Sequence, residues 1–165
     1  MSEKLRQAIS ATQEKFRLTP EAADASFHSA SKLTQGFRSD VAIRQHQLVV
    51  DEPAQLGGTD AGPNPIELML AALGACQEIT YQAYAAALGI PLRSVSVKLE
   101  GQIDLRGFFG VDDSVRPGFQ QITGQVHIDS DASPAQLGKL KAMVDAHCPV
   151  LDMLSAPVPV SLSLT

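Results

Sequence analysis

The chain carries only two cysteines, Cys76 and Cys148, and they are the residues with the most chemistry to offer. Cys76 lies in LGACQEIT, inside an Ala-rich stretch that reads as the middle of a long helix. A mid-helix thiol gains nothing from a helix terminus, so a reactive thiolate there needs a cation such as Arg to lower its pKa. The competing reading is a small, buried, inert residue, because free cysteine is among the most buried residue types. Cys148 precedes Pro149, which puts Cys at a helix cap and Pro at the first helical position. There the free N–H groups and the helix dipole favour a thiolate. Local physics alone therefore makes Cys148 the more acidic thiol, with packing between two helices as the alternative. Two thiols near helices of one small fold form either a redox pair or a coincidence.

Other chemistries fit less well. A Cys/His hydrolase would take His46, His127 or His147 as its base. His147 is adjacent to Cys148 in sequence, but adjacency does not make a dyad. Neither thiol has a second ligand at metal-binding spacing, so no metal is expected, and no cofactor. The loop DEPAQLGGTDAGPN, residues 51–64, is rich in Gly, Pro and Asp, yet it has neither a Gly-Lys-Ser/Thr run nor dinucleotide-binding spacing. Glu67 could be a catalytic carboxylate. It precedes Cys76 by nine residues, about 900° of helical rotation, which puts it on the opposite face. A capping role explains it better. Arg38 and Arg44, ahead of the loop, could each reach a thiol in a cleft or simply be solvated strand residues.

The elements that must position these groups are legible to different degrees. Residues 1–18 predict an amphipathic helix with Leu5, Ala8, Ile9, Thr12 and Phe16 on one face, and Thr19-Pro20-Glu21 resembles a second helix start. Residues 29–50 predict two strands around a turn at Gly36 to Asp40. Asn64, Pro65 and Glu67 form a capping-box pattern that opens a helix running to Leu88, with Gly89 as a left-handed stop. That helix is apolar on most of its faces, which predicts burial nearly all round and hence a partner subunit. Residues 93–105 alternate as a half-buried strand. A strand from Phe119 to Ile128 follows, with a bulge expected at Gly124. Ser133-Pro134-Ala135-Gln136 opens another capped helix with Leu137, Leu140, Met143, Val144 and His147 on its core face. A helical turn at 150–154 and a last edge strand through Val158, Val160, Leu162 and Leu164 complete the pattern. Hairpins followed by helices make this an α+β fold.

Composition limits the partners. With 165 residues and 44% apolar content, the chain can pack a core. No apolar run is long enough to span a bilayer, and MSEKLRQAIS lacks the apolar core of a secretory signal. A net charge of −5 and the absence of Trp argue against a nucleic-acid partner. Two cysteines are too few for a disulfide scaffold and fit a reducing cytoplasm.

The run DEPAQLGGTDAGPNPIELMLAALGACQEIT, followed by GIPLRSVSVKLEG and then HCPVLDML with APVPVSLSL, resembles the OsmC/Ohr family of osmotically inducible and organic hydroperoxide resistance proteins. The resemblance covers residues 29–165 and leaves 1–28 as a helical appendage. It implies an intertwined homodimer, with antiparallel sheets wrapped around two long central helices. The implied activity is reduction of organic hydroperoxides without metal or cofactor. Cys76 matches the peroxidatic position and Cys148 the resolving one, reversing the order that the helix dipole favours. An external dithiol would reduce the resulting disulfide. Arg38, in QGFRSD, stands nearest to the family's activating Arg, with Arg44 in reserve. The hydroperoxide-resistance branch has a Glu directly after Asn-Pro to hold that Arg. Here the position is Ile66, and the nearest acid is Glu67. The chain is therefore closer to the broader OsmC-like branch. The alternative function is a non-catalytic dimer that binds a small apolar ligand.

Overall fold

The computed structural model describes Glu3 to Leu164. Over these residues it is an α+β structure built from two antiparallel sheets and five α-helices, of which the first, α1 (Glu3–Leu18), is the helix predicted at the start of the chain, and it divides into two compact units. One unit is Gln13–Ala71; the other takes in the chain up to Thr12 and from Ala72 onward.

The 13–71 unit is a three-stranded meander, β1 (Ala30–Gln35), β2 (Arg38–Ile43) and β3 (His46–Val50), in that order. The region read as two strands thus holds three. The second turn contains no glycine to mark it in the sequence. Ile43 pairs with His46 across Arg44-Gln45, and Arg44 itself adopts φ 55°, which non-glycine residues rarely do. Thr19 opens only one 3-10 turn, Pro20–Ala23, and makes no side-chain cap. The loop after β3 is organised by Asp51, which is 1% exposed. Its carboxylate accepts from the Thr59 hydroxyl at 2.5 Å and from the backbone N–H groups of Glu52, Thr59 and Ala61. These donors hold the Asp51 carboxyl below its usual range, the Thr59 hydroxyl most of all.

Helix α2 (Pro65–Leu88) begins and ends where the sequence predicts. The Asn64 side chain accepts from the Glu67 N–H at 2.9 Å, and the Glu67 carboxylate accepts from the Asn64 N–H at 2.8 Å. Gly89 stops the helix at φ 67°. Beyond it, β4 (Ser94–Gln102) pairs with β5 (Gln121–Asp129) in unbroken register. The expected bulge at Gly124 is absent. Gly124 lies opposite Leu99, and a Cβ there would come within 2.4 Å of the Leu99 side chain. The glycine makes room for a cross-strand neighbour and leaves the ladder regular. A helical turn, α3 (Leu105–Phe108), follows β4; Arg106 ties it to Asp104 and Asp112.

Helix α4 (Pro134–His147) has a full capping box between Ser133 and Gln136. Helix α5 (Pro149–Ser155) starts directly afterwards, with Cys148 as its N-cap. Tyr81 and Ala85 of α2, Leu140 and Val144 of α4, and Ile90 and Leu92 form the buried core, with Val95 and Ile128 of the β4–β5 hairpin packed against it. Truncating Leu140 to Ala would cost about 2–5 kcal/mol. Of the predicted core face of α4, Leu140 and Val144 are buried, whereas His147 is exposed and stacks on Tyr84 with ring centroids 5.1 Å apart.

The last predicted strand does not form within the chain. Residues 157–164 form no strand, with Val160 80% and Leu162 93% exposed. Their alternation is a strand pattern, but a strand needs a neighbouring edge to supply its hydrogen bonds.

A candidate thiol pair at the junction of three helices

The core that packs α4 against the C-terminal half of α2 also brings the two cysteines together. Cys148 Sγ lies 3.3 Å from Cys76 Sγ, across 72 residues of sequence. Both are free thiols. Cys148 is 1% exposed, whereas Cys76 is only half-buried, so a reagent arriving from solvent meets Cys76 first.

The surroundings of the pair act chiefly on Cys76. Cys148 does cap α5, but its side chain accepts no cap hydrogen bond. The Val150 N–H, in the first turn of α5, is near enough to the Cys76 sulfur to favour its thiolate. The helix terminus therefore assists the mid-helix cysteine, a connection across the fold that local sequence does not contain. Burial is the largest influence on Cys76 and pushes its thiol up; Cys148 pushes the same way, and Val150 and the Thr80 hydroxyl pull it down. Two thiols at this separation cannot both ionise easily.

The other residues singled out from sequence stand as follows. Arg38, on β2, pairs with Asp40 at 3.0 Å. Arg44 occupies the β2–β3 turn. Glu67 is held by the α2 cap, so the two acids nearest these functions, Asp40 and Glu67, serve different partners. The His147 Nδ1 is bonded to the Met143 carbonyl at 2.8 Å. Among the described residues, no cluster of His, Cys, Asp and Glu gathers as a metal site would require, and no helix is long and apolar enough to cross a membrane.

Sequence reasoning missed Thr80, Val150 and Glu78. Thr80 is four residues after Cys76, a spacing that puts both on one helix face and could have been noticed. The Val150 contact could not. Glu78 accepts the Val97 N–H at 3.1 Å and so ties the turn of α2 that carries Cys76 to β4.

A sequence model described as OsmC-like protein matches residues 58–163. No curated protein sequence matches the chain. Solved structures share its fold at low identity. An OsmC-like protein from Mycoplasma pneumoniae is 19% identical, with a TM-score of 0.70 over 81% of this chain and 90% of that one. An organic hydroperoxide resistance protein OsmC from Legionella pneumophila is 22% identical, with a TM-score of 0.61 over 79% and 91%. An organic hydroperoxide resistance protein from Elizabethkingia anophelis is 17% identical, with a TM-score of 0.62 over 82% and 91%.

Proposed function

The chain belongs to the OsmC-like protein family, and from that premise we propose that it reduces organic hydroperoxides through Cys76 and Cys148, as a defence against oxidative stress. The observation that carries the reading is the 3.3 Å separation of the two sulfurs. The Cys76 thiolate attacks the terminal peroxide oxygen. The O–O bond breaks, the alkoxide takes up a proton and leaves as alcohol, and Cys76 becomes a sulfenic acid. Cys148 then attacks the Cys76 sulfur, its proton and the sulfenic hydroxyl leave as water, and a disulfide remains. An S–S bond is about 2.05 Å long, so closing it needs only a small approach of the two side chains. An external dithiol returns both thiols and is oxidised in turn, which fits a reducing cytoplasm. Exposure supports these roles: Cys76 is the more accessible thiol and would meet the peroxide, and the enclosed Cys148 would resolve it.

In this reading Arg38 supplies the activating cation, Arg44 is the reserve, and Glu67 supports the site from the cap. Residues 29–165 form the working domain and 1–28 an appendage. The active form is a homodimer. Ile79 of α2 is 70% exposed, and the tail through Leu162 has a strand pattern without a strand partner; a second copy would cover both. Light scattering across a dilution series should return twice the chain mass throughout, and a stable folded monomer would refute the dimer.

The alternative, a non-catalytic dimer binding a small apolar ligand, draws support from Ile66 in place of an acid and from the burial that raises the Cys76 thiol. Stopped-flow mixing of the reduced protein with cumene hydroperoxide separates the two. A peroxidase consumes the peroxide far faster than a free model thiol, Cys76→Ser abolishes the reaction, and Arg38→Ala slows it. Persistence of the peroxide with Cys76 still a free thiol leaves the binding reading in its place.

A further inference from the structure

We infer that Thr80 is a further catalytic group of the Cys76 site, its hydroxyl turning from the Cys76 carbonyl to the Cys76 sulfur when that sulfur ionises. The inference rests on the hydroperoxide reading above and goes beyond it by naming a residue that the resemblance does not supply.

The geometry is local and specific. A helical side chain leans back over the preceding turn, and Thr80 is one turn beyond Cys76 on α2. Its Oγ1 donates to the Cys76 carbonyl at 2.7 Å. Thr80 is 8% exposed, so water competes little for the hydroxyl. That carbonyl is also the acceptor for the N–H four residues on in a regular helix. Releasing the hydroxyl therefore leaves no orphaned acceptor, and the rotation needed is about a single side-chain bond.

The sulfur has reason to attract it. Burial penalises the thiolate, and the donors near it that favour it, the Val150 N–H and the Thr80 hydroxyl itself, are uncharged. A hydrogen bond to an ionised acceptor is stronger than one to a neutral carbonyl, so ionisation itself draws the hydroxyl across. The Thr80 proton stays on its oxygen throughout, and the proton lost by Cys76 goes to solvent. The titratable group of α4 and α5 that faces Cys76 is Cys148, and its ionisation acts against that of Cys76. The hydroxyl supports the thiolate without adding a charge that Cys148 would share.

Thr80→Val keeps the shape and removes the hydroxyl, and Thr80→Ser restores it. The full-length protein would be followed by stopped-flow with cumene hydroperoxide over a pH series, and by the ultraviolet absorbance of the thiolate without peroxide. Loss of one hydrogen bond to a charged group predicts oxidation roughly tenfold slower near neutral pH in Thr80→Val. The pH profile should move to the alkaline side and converge with wild type where the thiolate is fully formed, and Thr80→Ser should behave as wild type. Should Thr80→Val fail to fold, Thr80→Ala is read in the same way. A Val or Ala profile that superimposes on wild type, or an equal loss at every pH, overturns the inference. If wild-type Cys76 is not oxidised at all, the hydroperoxide reading fails, while the absorbance titrations still decide whether Thr80 holds the thiolate.

Discussion

Helices α4 and α5 start in the same way and use their starts differently. Ser133-Pro134 and Cys148-Pro149 each place a small polar or thiol side chain at the cap and proline in the first turn. At α4 the Ser133 hydroxyl accepts the Gln136 N–H, and Gln136 returns a bond to the Ser133 N–H. That terminus is satisfied by its own residues. At α5 the Cys148 side chain makes no such bond, and the Val150 N–H lies near the sulfur of Cys76. A cap that satisfies itself serves stability, whereas one that does not leaves donors for chemistry elsewhere in the fold.

Breaking the α5 junction should have the largest effect. Cys148→Ser keeps the first oxidation of Cys76 but removes the resolving thiol, so turnover stops after one equivalent. Cys76 then advances to sulfinic acid under excess peroxide. Peptide mass mapping should find that product in the variant and a Cys76–Cys148 disulfide in the wild type. A disulfide-free wild type that still turns over would end the contrast between the two helix starts.

An intermediate effect is expected from pH. Only the thiolate attacks peroxide, and burial raises the Cys76 thiol. In Arg38→Ala, where no activating cation opposes burial, the rate of Cys76 oxidation should therefore keep climbing as pH passes the ordinary cysteine value of about 8.5. A rate already flat near neutral pH would mean that a cation or further donors outweigh burial.

The smallest effect belongs to α4. Ser133→Ala removes a cap that is worth about 1 kcal/mol and should lower the denaturation midpoint accordingly, leaving the peroxide rate per folded molecule unchanged. If that rate fell as well, the start of α4 would be coupled to the site, and the division between a structural and a chemical terminus would blur.

Local rules account for the parts of this molecule that local interactions decide. Asn64, Pro65, Glu67 and Gly89 delimit α2, and Ser133, Pro134 and Gln136 open α4, because each cap bonds its own neighbours. The alternation from Val95 to Gly101 placed the half-buried face of β4 for the same reason. Where a non-local neighbour settles the outcome, local reading failed. The Arg44 turn carries no glycine; the regular ladder at Gly124 depends on the Leu99 side chain opposite; and the 158–164 alternation meets no strand edge within the chain. The thiol site divides along the same line. The sequence alone marked Cys76 and Cys148 as the reactive candidates and put one inside a helix and the other at a helix start. Only the tertiary structure decided that α4 packs on α2 so that the sulfurs stand 3.3 Å apart and the first turn of α5 comes near Cys76. The reason is physical: a cap acts over one turn of chain, whereas burial and a hydrogen bond across 72 residues exist only once the Tyr81, Leu140 and Val144 core has formed.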